Sequence, residues 1–116
     1  MIGSVEEWRD EGETSRDRPI APLHLHRSED EAWYVLEGRL GFRVGEDEVE
    51  AEAGRAVIVP AGTPHSYWNA TGGLTRYVIV MEPRTAALVA AIHSMGPFDP
   101  ARLRTLFEEH DSELLV

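Results

Sequence analysis

The sequence predicts a mainly β domain, built as an antiparallel barrel or sandwich and followed by two short α-helices. Short runs of β-branched, aromatic and aliphatic residues recur between positions 32 and 81, and glycine and proline separate them. Beyond position 83 the apolar residues change to a spacing of three and four. A length of 116 residues and a hydrophobic content of 42% are enough for one packed domain.

The chain before the first barrel strand, residues 1–19, is polar and charged. We expect this N-terminal segment to be an edge strand, or a strand exchanged between the subunits of a dimer. Pro19 and Pro22 keep the residues that follow it extended. The barrel is assigned to residues 20–82, and residues 83–116 are predicted to be a helical tail packed on it.

Further strands are predicted at residues 33–36, 40–44, 49–53, 56–59, 65–68 and 74–81. Gly38, Gly45 and Pro60 supply turns between them. Residues 32–36 are apolar on both faces of their strand, which indicates burial on both sides. A domain of this size cannot cover both faces by itself, so we expect a second subunit to cover one of them and the protein to be a homodimer.

Two helices are predicted in the tail. Pro83 suits a first helical turn, and Gly96 with Pro97 ends the first helix. Asp99 is an N-cap candidate for the second helix, where Pro100 takes the first position. The apolar faces comprise Ala87, Leu88, Ala91, Ile92 and Met95 in the first helix, and Leu103, Leu106, Phe107 and His110 in the second. The sequence leaves open whether these helices pack on the outer sheet or cover the mouth of the barrel.

Composition argues against several classes of function. The net charge is −10, with 21 acidic and 11 basic residues, which does not suit binding to nucleic acid. The absence of cysteine excludes disulfides, thiolate metal sites and cysteine nucleophiles. No apolar run approaches the roughly 20 residues that a membrane span needs, and residues 1–7 do not resemble a secretory signal. We therefore expect a cytoplasmic protein that acts on a small molecule.

Three histidines and one carboxylate stand out as candidate metal ligands. His24 and His26 are two residues apart, so on a strand both side chains point the same way. Glu31 and His65 begin two other predicted strands. Imidazole nitrogen with one carboxylate oxygen suits divalent first-row metals. His93 and His110 lie in the helical tail and are interpreted as ordinary surface or core residues.

These ligands belong to two motifs that resemble those of the cupin family. The first runs His24-X-His26, four residues, Glu31, six residues, Gly38; the second runs Gly54, five residues, Pro60-X-Gly62, two residues, His65, three residues, Asn69. The second motif matches the family pattern at every fixed position. The first departs from it at the opening glycine, which would fall at Arg18. Asp30 would fit a shorter spacing, but only Glu31 places Gly38 correctly.

The resemblance implies an antiparallel double-stranded β-helix, or jelly-roll barrel, with the ligands pointing inside. It is greatest to small single-domain bacterial cupins of the cupin 2 type that are related to quercetin dioxygenases. It also implies that His24, His26, Glu31 and His65 bind one divalent transition metal ion per chain: Fe, Mn, Ni, Cu, Co or Zn. Positions would remain open on such a metal for water, a bidentate substrate or dioxygen.

The function expected from the resemblance is a metal-dependent dioxygenase-like enzyme that acts on a small enol or phenolic substrate, with Glu31 as the catalytic base. Two alternatives remain open: a metal-dependent isomerase or lyase, and a non-catalytic small-molecule-binding or sensor cupin. Aromatic side chains of the barrel are the candidates for its substrate pocket: Trp33, Phe42, Tyr67 and Tyr77. Asn69 is interpreted as structural, because it closes the turn after the strand that carries His65.

Overall fold

The computed structural model describes residues 3–12 and 14–116, and in these residues two antiparallel sheets face each other. The elements are, in chain order, β1 (Ser4–Asp10), β2 (Ala21–His26), β3 (Glu31–Glu37), β4 (Arg39–Val44), β5 (Asp47–Glu52), β6 (Ala56–Val59), β7 (His65–Asn69), β8 (Thr75–Met81), α1 (Pro83–Ser94), α2 (Pro100–Glu109) and β9 (Ser112–Leu114). One sheet has the order β1-β8-β3-β6 and the other β5-β4-β7-β2-β9. This confirms the predicted mainly β, double-stranded β-helix fold with two helices.

The space between the sheets is filled by alternate residues of the strands, as their periodicity predicts. In β3 the side chains of Glu31, Trp33 and Val35 are buried, whereas Tyr34 is 44% exposed on the opposite face. The core between the sheets contains Trp33, Val35, Leu40, Phe42, Tyr67, Tyr77, Ile79 and Met81. The core therefore begins immediately behind the candidate ligands.

Gly38 connects the two sheets between β3 and β4 and has a backbone conformation that requires glycine. Its φ is +81°, in the left-handed region. A Cβ at this position would lie 2.6 Å from the Leu74 carbonyl oxygen and 2.4 Å from the Thr75 hydroxyl. The motif glycine thus serves the turn between β3 and β4.

The two helices of the tail form as predicted. Pro83 lies in the first turn of α1, and the Asp99 carboxylate caps α2 by accepting hydrogen bonds from the backbone N–H groups of Ala101, at 3.0 Å, and Arg102, at 3.4 Å. Their buried side chains form a second apolar cluster with β9: Leu88, Leu103, Leu106, Phe107 and Leu114. Leu88, Leu103 and Phe107 also line the same cavity as His24, so the helices cover the mouth of the barrel.

Two strands lie outside the predicted barrel. The segment Ser4–Asp10 forms β1, an edge strand that pairs with β8 of the same chain; residues 1, 2 and 13 of the expected N-terminal segment lie outside the described residues. The tail is not entirely helical as predicted, because Ser112–Leu114 forms β9 and pairs antiparallel with β2. This pairing protects the edge of the strand that carries His24 and His26.

The outer face of the β1-β8-β3-β6 sheet is open in the single chain. Val5, Val80, Ala32 and Ile58 stand side by side across its four strands, because Val5 pairs with Val80, and Ala32 pairs with both Val80 and Ile58. Three of these side chains are among the exposed large hydrophobic residues. Within one chain, the outer face of β3 is therefore apolar but uncovered.

No helix in the described residues is long and apolar enough to cross a membrane.

Candidate metal centre

Three strands bring the four predicted ligands to one point inside the barrel. His24 and His26 come from β2, Glu31 begins β3 and His65 begins β7. The pairing of β2 with β7 sets His24 directly opposite His65. One ligand atom from each of the four residues lies within 4.8 Å of all the others, and all four side chains are buried.

Hydrogen bonds determine which nitrogen each imidazole turns toward this point. His24 Nδ1 lies 2.5 Å from the Pro22 carbonyl oxygen, and His65 Nδ1 lies 2.9 Å from the Thr63 carbonyl oxygen. A carbonyl oxygen only accepts hydrogen bonds, so both Nδ1 atoms carry the proton. Nε2 of each ring is left as the atom that a metal would bind.

His26 is oriented in the same way by Ser112, from β9. His26 Nδ1 lies 2.7 Å from Ser112 Oγ, and that hydroxyl donates its own proton to the His110 carbonyl oxygen at 3.1 Å. The hydroxyl therefore accepts from His26 Nδ1–H, and Nε2 again faces the cluster. The sequence motifs do not reveal Ser112, because it lies far along the chain in an unpredicted strand.

The arrangement of the converging atoms is stable only with a positive charge between them. Glu31 Oε1 is 3.1 Å from His26 Nε2 and 3.3 Å from His65 Nε2. With both Nδ1 atoms protonated, each neutral ring turns a lone pair toward the carboxylate, and these lone pairs repel unless a proton or a metal ion lies between them. The donor set thus fits a divalent metal ion, which competes with protons for the same atoms.

The electrostatics of the cluster favour a neutral His24 and an ionised Glu31. Burial lowers the pKa of His24 to about 3, and His65 and His26 act in the same direction. For Glu31, burial alone would raise the pKa, but hydrogen bonds from the rings of His26 and His65, present when their Nε2 atoms carry a proton, outweigh it and lower the pKa to about 2. Both residues are therefore in their metal-binding protonation states at neutral pH.

A cavity of about 330 Å³ adjoins the ligands. Its floor includes His24, His26 and Glu31, and its roof is formed by β1, α1 and α2. The ring of Phe107, from α2, contacts that of His24 edge to face, with 5.3 Å between the centroids. A small molecule in this cavity would therefore lie beside the four candidate ligands.

Three of the four predicted pocket residues line this cavity: Trp33, Tyr67 and Tyr77. Phe42 is the exception, because its side chain is fully buried within the core. Its ring lies 5.3 Å from that of Trp33 and 6.0 Å from that of Tyr67. Phe42 therefore supports the pocket aromatics and is not among the residues that line the cavity.

The hydroxyl groups of Tyr67 and Tyr77 lie 3.2 Å apart and share one hydrogen bond. Burial raises the pKa of Tyr67 above its usual range, and Tyr77 adds to that effect. Burial also raises the pKa of Tyr77 to about 12. Both phenols are therefore neutral at physiological pH, and neither is a base there.

Trp8 and His93 also line the cavity and were not predicted as site residues. Their rings are stacked, with 4.9 Å between the centroids and an angle of 18° between the planes. They connect β1 to the last turn of α1. The only sequence signal for Trp8 is a large apolar residue in an otherwise polar segment, and the contact with His93 spans most of the chain.

Asn69, the last residue of the second motif, is structural, as interpreted from the sequence. Its side-chain amide donates to the carbonyl oxygens of Asp10, at 3.0 Å, and Gly73, at 2.6 Å. Its oxygen accepts from the backbone N–H of Thr71 and the hydroxyl of Thr75. Asn69 thus connects the end of β1 to the turn before β8.

Comparison with known proteins agrees with this geometry. A family model described as a cupin domain matches residues 16–81, more than half of the chain. No curated protein matches the chain significantly. A solved structure from Thermus thermophilus is 35% identical to the chain, with a TM-score of 0.51, and the match covers 54% of this chain and 60% of that one.

Two further solved structures have the same fold. A sugar phosphate isomerase of the cupin superfamily from Silicibacter pomeroyi is 25% identical, with a TM-score of 0.57; the match covers 68% of this chain and 49% of that one. The hydroxypropylphosphonic acid epoxidase of S. wedmorenis is 20% identical, with a TM-score of 0.56; the match covers 67% and 42%. The chain spans less than two thirds of each of these three structures.

Proposed function

The chain belongs to the cupin family, and from this premise we propose that it is a metal-dependent enzyme of the dioxygenase-like kind, acting on a small enol or phenolic substrate. The observation that carries the proposal is the convergence of His24, His26, Glu31 and His65 beside a cavity. The likeness of the motifs to those of quercetin dioxygenase-related cupins supports the same class.

A bound divalent transition metal would supply Lewis acidity and, if redox-active, an electron path between substrate and dioxygen. Proton transfer and the exclusion of water would depend on residues of the chain itself. Glu31 lies beside the cavity, so its carboxylate is placed to accept a proton from an enol or phenol. The roof of α1 and α2 would exclude bulk water from the reacting groups.

The second candidate is a metal-dependent isomerase, since a sugar phosphate isomerase is among the structures with this fold. In that reaction the metal would polarise a carbonyl and Glu31 would move a proton. A non-catalytic sensor is the third candidate, and it requires only the cavity and the metal. Oxygen consumption distinguishes the first candidate from the other two.

We also propose that two copies of the chain pair through the outer face of the β1-β8-β3-β6 sheet. Val5 and Ile58 are 69% and 67% exposed there, and Val80 lies between their strands in the same apolar row. An uncovered apolar sheet face of this kind is typical of an interface. A two-fold axis would set the same row against itself, which suits a self-complementary apolar surface.

The proposed function is tested by elemental analysis of untagged protein purified without chelators or a nickel column, followed by oxygen uptake on a panel of enols and phenols. We expect about one metal equivalent per chain, and oxygen uptake that requires the metal. His65→Ala should lose the metal, because it removes one ligand and leaves the others incomplete. His93→Ala and His110→Ala are the matched controls and should retain it.

Three outcomes would contradict parts of the proposal. Metal without oxygen uptake on any substrate would favour the isomerase or sensor. Full metal content in His65→Ala would exclude His65 as a ligand. Protein without metal under any loading condition would leave only a metal-free binding role.

A further inference from the structure

The cavity beside the metal ligands has an uneven distribution of hydrogen-bonding groups, which constrains what it binds. Away from the cluster, its walls are mainly apolar, with Ile20, Ile79, Leu88, Ile92, Leu103 and Phe107 among the lining residues. At about 330 Å³ it lies near the lower end of the range of roughly 300–1,000 Å³ for small-molecule sites. An occupant must therefore be compact and largely apolar.

Several polar groups of these walls are donors that lack acceptors among the described residues. The indole N–H of Trp33 is buried and has no hydrogen-bond partner among the described residues. The indole N–H of Trp8 is also buried without a partner. Tyr67 and Tyr77 share one hydrogen bond, so one of their two hydroxyl protons is left over. Buried donors of this kind are costly unless a ligand oxygen accepts from them.

Arg9 is the only arginine that lines this cavity in the described residues. All 11 basic residues of the chain other than histidine are arginines. Arg9 contributes to the lining, but it is exposed and lies opposite Arg76 in β8, whose side chain pairs with Glu7 on the outer face. Asp10, an acidic residue, also lines the cavity. A ligand with a phosphate or a second carboxylate would therefore bury a charge that, among the described arginines, only the exposed Arg9 could offset.

From these observations we propose that the cavity takes a compact, apolar chelator that carries at most one negative charge, with vicinal oxygens for the metal and a carbonyl or ether oxygen for the tryptophan and tyrosine donors. This inference rests on the proposed metal site and deepens it. It disfavours phosphorylated sugars and dicarboxylates, even though a sugar phosphate isomerase has the same fold. The roof that selects the ligand belongs to α1 and α2, which lie outside the matched family region.

The test compares two probes with the same chelating group and different charge: protocatechuate and its methyl ester. The protein is loaded with Zn²⁺, which has no redox chemistry, and its zinc content is measured in every sample. Isothermal titration should give a Kd for the ester about tenfold lower than for the acid, since the acid must bury an unpaired carboxylate. Equal or tighter binding of the acid, with zinc in place, would overturn the inference but not the proposed function.

A charge placed in the roof should change this preference. Ile92→Arg adds a cation beside the cavity, so the ratio of the two Kd values should fall toward one. Ala90→Arg is the matched control: it makes the same charge change at an exposed position of α1 and should keep the wild-type ratio. If both variants kept that ratio, the ligand would not lie under α1, and the inference would be wrong. Circular dichroism establishes whether each variant is folded. If Ile92→Arg does not fold, the ratio of the two Kd values in the wild-type protein decides whether the inference holds.

The spare donors are tested by Tyr77→Phe, with Tyr34→Phe on the outer sheet face as its control. Tyr77→Phe should weaken ester binding by about threefold to tenfold at unchanged zinc content, because one donor is removed. Tyr34→Phe should change neither quantity. Unaltered ester binding in Tyr77→Phe would show that the ligand oxygen does not reach the tyrosine pair. A protein that binds no zinc would overturn the inference together with the proposed metal site.

Discussion

His26 Nδ1 lies 2.7 Å from the hydroxyl oxygen of Ser112, which holds a ligand of the first motif from a strand 86 residues further along the chain. Ser112 is fully buried and pairs directly with His26 in the ladder between β2 and β9. Contacts behind a metal ligand fix its tautomer and the direction of its ring. Ser112 is therefore a positioning residue for the proposed metal site.

Ser112→Ala should weaken metal binding by about 10-fold to 100-fold, because His26 loses the partner of its Nδ1–H. Titration against a competing chromophoric chelator measures this change without requiring activity. Thr105→Ala removes another hydroxyl from the tail, on α2, and should leave metal affinity unchanged. Equal metal affinities in Ser112→Ala and the wild-type protein would show that Ser112 contributes packing only and does not position His26.

The metal-free protein should lose stability as the pH falls from about 6.5 toward 3. The folded-state pKa of His24 is lowered to about 3, so below pH 6.5 the unfolded chain binds a proton that the folded chain does not, and unfolding is favoured. Between pH 7 and pH 5 this effect amounts to about 2 kcal/mol. Glu31, whose pKa is lowered to about 2, adds a further loss below about pH 4.5.

Urea unfolding at pH 7, 6, 5 and 4 measures this dependence. His24→Gln should flatten the part between pH 6.5 and 5, whereas His110→Gln should retain it. A free energy of unfolding that is constant between pH 7 and pH 5 in the wild-type protein would contradict the assignment of a neutral, buried His24.

Asn69→Ala should destabilise the fold by about 3 kcal/mol, since it leaves several buried backbone and hydroxyl groups without partners. The variant loses the hydrogen bonds by which Asn69 connects Asp10 to the turn before β8, and this contributes to the expected loss of stability. Thermal unfolding measures it. Thr71→Ala removes one of the same contacts and should cost less. If the two variants melted at the same temperature, Asn69 would not be the centre of this network.

Ile58→Lys should convert the proposed dimer to a monomer, because it places a charge in the apolar row of the outer sheet face. Light scattering coupled to size-exclusion chromatography gives the mass directly. Val49→Lys makes the same change at another exposed apolar position, in β5, and should leave the dimer intact. A wild-type protein that is monomeric at every concentration would remove the dimer from the proposal.

The barrel and its ligands are accessible from the sequence because they depend on local signals. Alternating strands, turn glycines and the two spaced motifs all lie within short windows, and the structure brings His24, His26, Glu31 and His65 together as their spacing indicates. Capping by Asp99 is equally local. The positions of these elements agree with the prediction to within a few residues.

The sequence predicts an edge strand within residues 1–19 but neither its bounds nor its partner, and it does not predict β9, because both strands depend on contacts between distant parts of the chain. In β1 the inward positions carry Glu6, Trp8 and Asp10, so the strand has no alternation of apolar and polar residues, and its pairing with β8 decides its conformation. The three residues of β9 are too few to give a periodicity. Phe42 lies behind the pocket because its packing against other aromatic rings in the core determines how far its side chain is from the cavity. The periodicity of the sequence contains no information on that packing.

The pairing of β9 with β2 has a consequence for the order in which the protein matures. A ribosome makes His24 and His26 early and Ser112 late, so a growing chain has its ligand strand before it has the strand that covers it. Until then the edge of β2 is an open template for other strands. Orientation of His26 toward the proposed metal thus waits for β9, and a chain stopped before β9 would leave the His26 ring without its Ser112 partner.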